Sequence, residues 1–172
     1  MKKIKILNIV IAFILCFPIH FLYDKFPNFI TSIISPVNES IWEHMKLLYT
    51  SILIAAFIEI IINYKFKQDK NNLLLSNFIS ALIAIPIFLI IFLPIYYIIG
   101  ENFIVTIIIM LVSIILAILI PNLIIPSKKL KLEKISIILI IIIYLIFAYL
   151  TFNPPHTNLF YDKTTNSYGI FK

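Results

Sequence analysis

His20 and Asp24 stand four residues apart, the spacing that stacks two side chains on one helix face, and Cys16 extends the same stripe. Neutral imidazole and carboxylate both bind zinc and other divalent cations, so this pair is half of a metal site. A second polar cluster lies in "SPVNESIWEH", where Asn38, Glu39, Trp42, Glu43 and His44 fall within seven residues. Glu39 and Glu43 share a helix face, and a carboxylate there would serve as a further ligand or as the general base for a metal-bound water, with its neighbour as partner. On one continuous helix, at about 100° per residue, His44 points about 140° from Glu39 and about 100° from Glu43. The three therefore do not converge, and Glu43 is the expected centre. A third cluster, in "PPHTNLFYDKTTNSYGI", adds His156, Asp162 and Tyr168.

Each of these residues also has a structural reading. An interfacial histidine beside a solvated aspartate needs no metal, carboxylates near a helix N-terminus are favoured by its dipole, and Glu43 has Lys46 three residues on. Cys16 reads as a small core residue.

The elements that must position these groups follow from composition. Of 172 residues 62% are hydrophobic and 13% charged, with mean hydropathy +1.06, which is an integral membrane protein rather than a soluble domain. Net charge is +6, but every basic residue is lysine. Without arginine there is no forked recognition of phosphate or guanine, so nucleic acid is excluded as a partner. One cysteine forms neither an intramolecular disulfide nor a cysteine-cluster metal site.

Five stretches have the roughly 20 apolar residues a membrane crossing needs: Ile4 to Tyr23, Trp42 to Tyr64, Leu73 to Ile99, Phe103 to Ile125 and Ile135 to Phe152. The first lacks a small-x-small cleavage site and reads as a retained helix rather than a signal peptide. The expected fold is all-α, a five-helix transmembrane domain over 1–152 with the tail 153–172 packed on the outer face as a lid. Pro154 and Pro155 end the last helix, and the tail is too aromatic to be a disordered appendage.

Short cytoplasmic loops carry the excess of positive charge. Lys2, Lys3, Lys5, Lys65, Lys67, Lys70, Lys128, Lys129, Lys131 and Lys134 fall on one side and Lys25, Lys46, Lys163 and Lys172 on the other. The N-terminus is therefore expected in the cytoplasm of a bacterial plasma membrane and the C-terminus outside, which puts every histidine on the outer side. Glu59 and Asp69 lie away from the outer side. Asp69 belongs to a solvated loop, whereas Glu59 lies inside a span and needs partners such as Asn63, Asn77 or Ser80. Ser35 followed by Pro36 reads as the start of a helix running to Tyr64, about 43 Å long, with its first turns beyond the hydrocarbon and Trp42 as interfacial anchor.

The stretches "HFLYDKFPN", "ISPVNESIWEHMKLL" and "TFNPPHTNLFYDKTTNSYGI" resemble a family of small multi-pass bacterial membrane proteins of unknown function, over nearly the whole chain. The resemblance implies that the three stretches belong to one kind of protein and carries no catalytic residue with it. Two functional readings remain. One is a metal-dependent hydrolase or transferase acting on a lipid-like substrate at the outer leaflet, with His20, Asp24 and His156 as ligands of a divalent metal such as zinc. The other is a non-catalytic accessory or solute- or ion-binding component, with the bilayer, a small amphiphile or another protein as partner.

Overall fold

The computed structural model describes residues 2–66, 71–125 and 128–170. Lys67, Asp69, Lys70, Phe171 and Lys172 lie outside the described residues, as do the side chains of Lys2 and Lys3. The elements are α1 (Lys2–His20), α2 (Leu22–Lys25), α3 (Phe29–Ile34), α4 (Ile41–Lys65), α5 (Leu73–Ile99), α6 (Phe103–Ile124), α7 (Glu133–Phe152), β1 (Tyr161–Asp162) and β2 (Ser167–Tyr168). Five of the helical stretches are long and apolar enough to cross a membrane: Ile4–Lys25, Ile41–Lys65, Leu73–Ile99, Phe103–Pro121 and Glu133–Phe152. The architecture is an all-α membrane bundle with a short hairpin packed across one end.

Helix α4 runs through the middle of the bundle and packs on α1, α3, α5 and α6. Its core positions, including Met45, Leu48, Tyr49 and Ile52, meet small residues such as Ala12 of α1 and Ala81 and Ala84 of α5. Small residues at these crossings let backbones approach closely, which is how helices associate where lipid is as apolar as leucine. Large apolar side chains such as Ile90, Leu123, Ile135 and Leu145 point outward instead.

The structure moves the start of the second span. Ser35 does not cap a helix beginning at Pro36; it is the C-cap of α3, and its hydroxyl donates to the Thr31 carbonyl at 2.7 Å. The residue before a proline is pushed out of the helical region, and Ser35 is extended at φ −132 and ψ 161. Residues 36–40 form a non-helical link in which the Asn38 side-chain oxygen accepts the Ser40 amide at 2.9 Å. Helix α4 then starts at Ile41 under the Ser40 cap, whose hydroxyl accepts from the Glu43 amide.

Two lysines counted towards the charge of the two sides are inside the bundle. Lys5 donates to Glu59 Oε2 at 3.0 Å, and Asn8 and Asn77 donate to the same oxygen at 2.9 and 3.1 Å. This network gathers three donors on one oxygen of the intramembrane carboxylate at the end of the bundle away from the hairpin. Asn77 was expected there, while Asn63 uses its amide on the Glu59 backbone carbonyl. Lys46, fully buried, forms the counterpart at the hairpin end.

Candidate functional site

The tail is fastened to the start of α4 by backbone and side-chain contacts. The Trp42 amide, in the first turn where helical N–H groups lack internal partners, donates to the Leu159 carbonyl at 2.9 Å. Phe160 stacks on the Trp42 ring at 4.9 Å, and Asn38 donates to the Gly169 carbonyl at 2.8 Å. Gly169 has φ +62, and a Cβ there would lie 2.8 Å from the Thr151 carbonyl oxygen and 3.0 Å from Pro154 Cγ. The hairpin pairs Tyr161 with Tyr168 and Asp162 with Ser167.

Asp162 is the keystone of that hairpin. Its carboxylate accepts from the Thr164 amide at 2.8 Å and from the Thr164 and Thr165 hydroxyls at 2.7 Å each, and from the Glu39 amide. Burial pushes the acid up, but these four donors outweigh it and hold the carboxyl below the ordinary aspartate range. The charge of Asp162 is thus spent on the tail and on the link that carries Glu39.

Glu39, released from the helix by the Ser40 cap, turns its side chain towards two histidines. Glu39 Oε2 lies 3.5 Å from His44 Nε2 and Oε1 lies 3.9 Å from His20 Nε2. The two imidazole rings meet edge to face at 5.2 Å. Among the described residues this is the group of three metal-ligating side chains that converges, with one ligand atom from each within 4.8 Å of the others.

Hydrogen bonding defines what the trio needs. His44 Nδ1 lies 2.9 Å from the Ser40 carbonyl, which only accepts, so Nδ1 carries the proton. In the neutral ring Nε2 is then a lone pair facing a carboxylate, acceptor against acceptor. That juxtaposition is attractive only with a cation between them, either a second proton on the ring or a metal ion. Orientation of a ligating histidine by an Nδ1–H bond to a backbone carbonyl is a common support for metal binding. Tetrahedral zinc ligands about 2.1 Å from the ion sit about 3.4 Å apart, close to the 3.5 and 3.9 Å that separate the half-exposed Glu39 from the two histidines.

The trio opens into a cavity of about 260 Å³ between α1, α4, α5, α6 and the hairpin. Its walls include Leu47, Phe88, Phe92, Ile107 and Met110, with Cys16 beneath His20. Glu101 and Lys163 supply charge at its rim. The Lys163 ammonium donates to the Tyr96 hydroxyl and lies 4.7 Å from the centre of its ring; that hydrogen bond holds the exposed ammonium above the ordinary lysine range.

The remaining candidates are placed elsewhere. Glu43 is buried and points away from the cavity: it pairs with Lys46, accepts the Val37 amide at 3.0 Å and takes the Thr151 hydroxyl at 3.4 Å. Lys46 completes this network through the Ser32 carbonyl at 2.7 Å and Thr151 Oγ1 at 3.0 Å. Asp24 is exposed on α2, and His156 stacks on Tyr168 at 4.5 Å on the exposed side of the tail. Neither joins the His20 group. Trp42 and Asn38 serve to dock the tail.

Bringing Glu39 to His44 was missed because one continuous helix was assumed from Pro36. The signal was present as Ser40-Ile41-Trp42-Glu43, the S-x-x-E pattern of a helix N-terminus, one residue after Glu39.

The fold and site together define a small membrane protein of five spanning helices whose one end holds a histidine–carboxylate trio and a partly apolar cavity beneath a tail cap. The chain belongs to DUF6512, a family of unknown function, whose model matches residues 1–170. No curated protein and no solved structure matches it.

Proposed function

We propose that this protein is a metal-dependent hydrolase or transferase acting on a lipid-like substrate at the outer leaflet of a bacterial plasma membrane. The convergence of His20, Glu39 and His44 carries the proposal. Two imidazoles and one carboxylate are a donor set for catalytic zinc, which keeps a further position for water or substrate. All three side chains line the cavity, from which a substrate would reach an ion held there. A divalent cation held there would polarise a carbonyl or phosphoryl oxygen and bring a bound water into reach of neutral pH.

In this reading the ligand set differs from the one expected from the sequence. His20 stays, Glu39 and His44 replace Asp24 and His156, and Glu43 has a structural charge pair in place of a base's role. The distribution of lysines supports the orientation: Lys65, Lys128, Lys129 and Lys131 lie at the end away from the tail, and Lys25 and Lys163 at the tail end. The N-terminus is accordingly cytoplasmic and the tail outside.

A second reading has one specific support. The acceptor pair Glu39 and His44 is bridged equally well by a proton, which makes the trio an ion cluster in a non-catalytic binding or accessory protein. Zinc titration of the detergent-solubilised, chelator-stripped protein separates the two. A saturable rise in melting temperature, with chelator-sensitive hydrolysis of ester or phosphoester amphiphiles, is expected of the enzyme. Stability indifferent to zinc and no turnover would leave the proton-bridged cluster.

A further inference from the structure

We propose that the cavity at the tail end takes a single-chain amphiphile with an anionic head, admitted sideways from the bilayer. The proposal names the substrate class for the site above and rests on that reading for placing the head beside the trio; the walls and rim carry the rest.

On α5, Phe88, Phe92 and Tyr96 follow one another at single-turn spacing, with ring centroids 4.9 and 5.4 Å apart. They form an apolar ladder that climbs from the buried floor to the rim, where Lys163 sits over Tyr96. Facing it, Met110 of α6 is buried. A chain laid along this ladder ends with its head at the Lys163 ammonium. The cavity's 260 Å³ falls just under the ~300–1,000 Å³ of drug-sized sites, room for a head and a chain segment but not for two chains.

The rim indicates the route. Phe17, Phe21 and Phe103 line the cavity and are also 43%, 51% and 75% exposed on the flank of the bundle. Phe17 and Phe21 lie on the first spanning stretch and Phe103 at the start of α6, so these rings are the part of the cavity lining that reaches the flank of the bundle. From the aqueous side the cavity is roofed by Tyr161 to Thr164, pinned through Asp162. An apolar side door under a pinned polar roof suits a ligand already dissolved in lipid.

Charge selects the head. Asp162 is occupied by its four donors and Glu39 faces the histidines, which leaves Glu101 and Lys163 as the other charges at the rim. Glu101 forms no ion pair with Lys163 among the described residues, so the ammonium still draws an anionic head, and a divalent cation held at the trio would add to that pull.

The test is native mass spectrometry in a steroid-glycoside detergent, comparing retention of dodecyl phosphate with that of dodecyl glucoside, with zinc content measured on the same zinc-loaded samples. Wild type is expected to retain one dodecyl phosphate at least tenfold better than the glucoside. Lys163→Gln should remove that preference. Phe92→Trp, and Ile107→Trp on the facing helix as a second filler, should abolish retention of both probes while the protein stays monodisperse. Equal retention of both probes, or retention unchanged in Lys163→Gln and in both fillers, would overturn the proposal even with zinc bound. Selective, Lys163-dependent retention without zinc would instead sink the metal reading and leave the occupant standing on the ladder and Lys163.

Discussion

Glu43 and His44 are neighbours in sequence and belong to two different kinds of polar region. Glu43 enters a closed network with Lys46, Thr151, Ser32 and the Val37 amide, in which the described polar groups find one another. His44 enters an open one with His20 and Glu39, where acceptors face each other beside a cavity. One step of about 100° around α4 separates them. A buried charge that is already paired offers nothing to a ligand, whereas an unsatisfied cluster at a cavity asks for a cation. Site residues are therefore better identified by unmet hydrogen-bonding demand than by residue type.

The largest expected effect comes from breaking the closed network. Lys46→Met leaves the Glu43 carboxylate buried without its cation, and removal of one partner of a buried pair costs about 3–5 kcal/mol. Thermal unfolding in detergent should show a large loss, and adding Glu43→Leu should recover part of it. Full stability in Lys46→Met alone would mean that the region is wetter than its burial indicates. By contrast, Glu39→Gln on the half-exposed link should leave the melting temperature of metal-free protein nearly unchanged.

Next in size is the tail. Gly169→Ala places a Cβ against the Thr151 carbonyl and Pro154 at a left-handed backbone, where a side chain costs about 1–2 kcal/mol before the clash is counted. The hairpin should loosen and become sensitive to protease. Trp42 is the single tryptophan in the chain and stacks on Phe160, so its emission should shift to the red as the tail leaves. Unchanged emission would place the tail's anchorage elsewhere.

A smaller effect is the tail's response to acid. The folded carboxyl of Asp162 is depressed, so its stabilisation is present above the unfolded value, near 3.8, and fades as pH falls through the lower folded value. Trp42 emission in the wild type should hold its docked value at pH 5 and change only below about 4. Asp162→Asn should weaken docking at neutral pH as well. Loss of docking between pH 6 and 5 in the wild type would show that another group governs it.

The two polar regions differ also in how far they could be read beforehand. Five spans followed directly from hydropathy, because length and apolarity alone set them. The i, i+3 spacing made the Glu43–Lys46 pair legible, but Thr151 and Ser32, more than a hundred residues apart, meet only through the packing of α3 and α7 on α4. Lys5 was counted as loop charge because its burial depends on Glu59 of a different helix. The trio failed for a local reason: Pro36 suggested a helix start that Asn38 and Ser40 postpone by five residues, and this delay frees Glu39 to bend back towards His44. The aromatic tail was expected to cover the site, yet the keystone role of Asp162 rests on hydroxyl donors whose geometry a sequence does not display.

The smallest expected effects separate the two possible ligand sets. Asp24→Asn and His156→Ala should leave metal content within error of the wild type, since neither residue joins the trio. A halving in either would restore the set of His20, Asp24 and His156. The most direct test of the trio is plasma mass spectrometry on the purified protein, with His20→Ala and His44→Ala beside the wild type. One zinc or other divalent metal per chain in the wild type, absent from both variants at unchanged yield, is the expected result. A metal-free wild type after metal-replete expression, or metal retained in both variants, would contradict it.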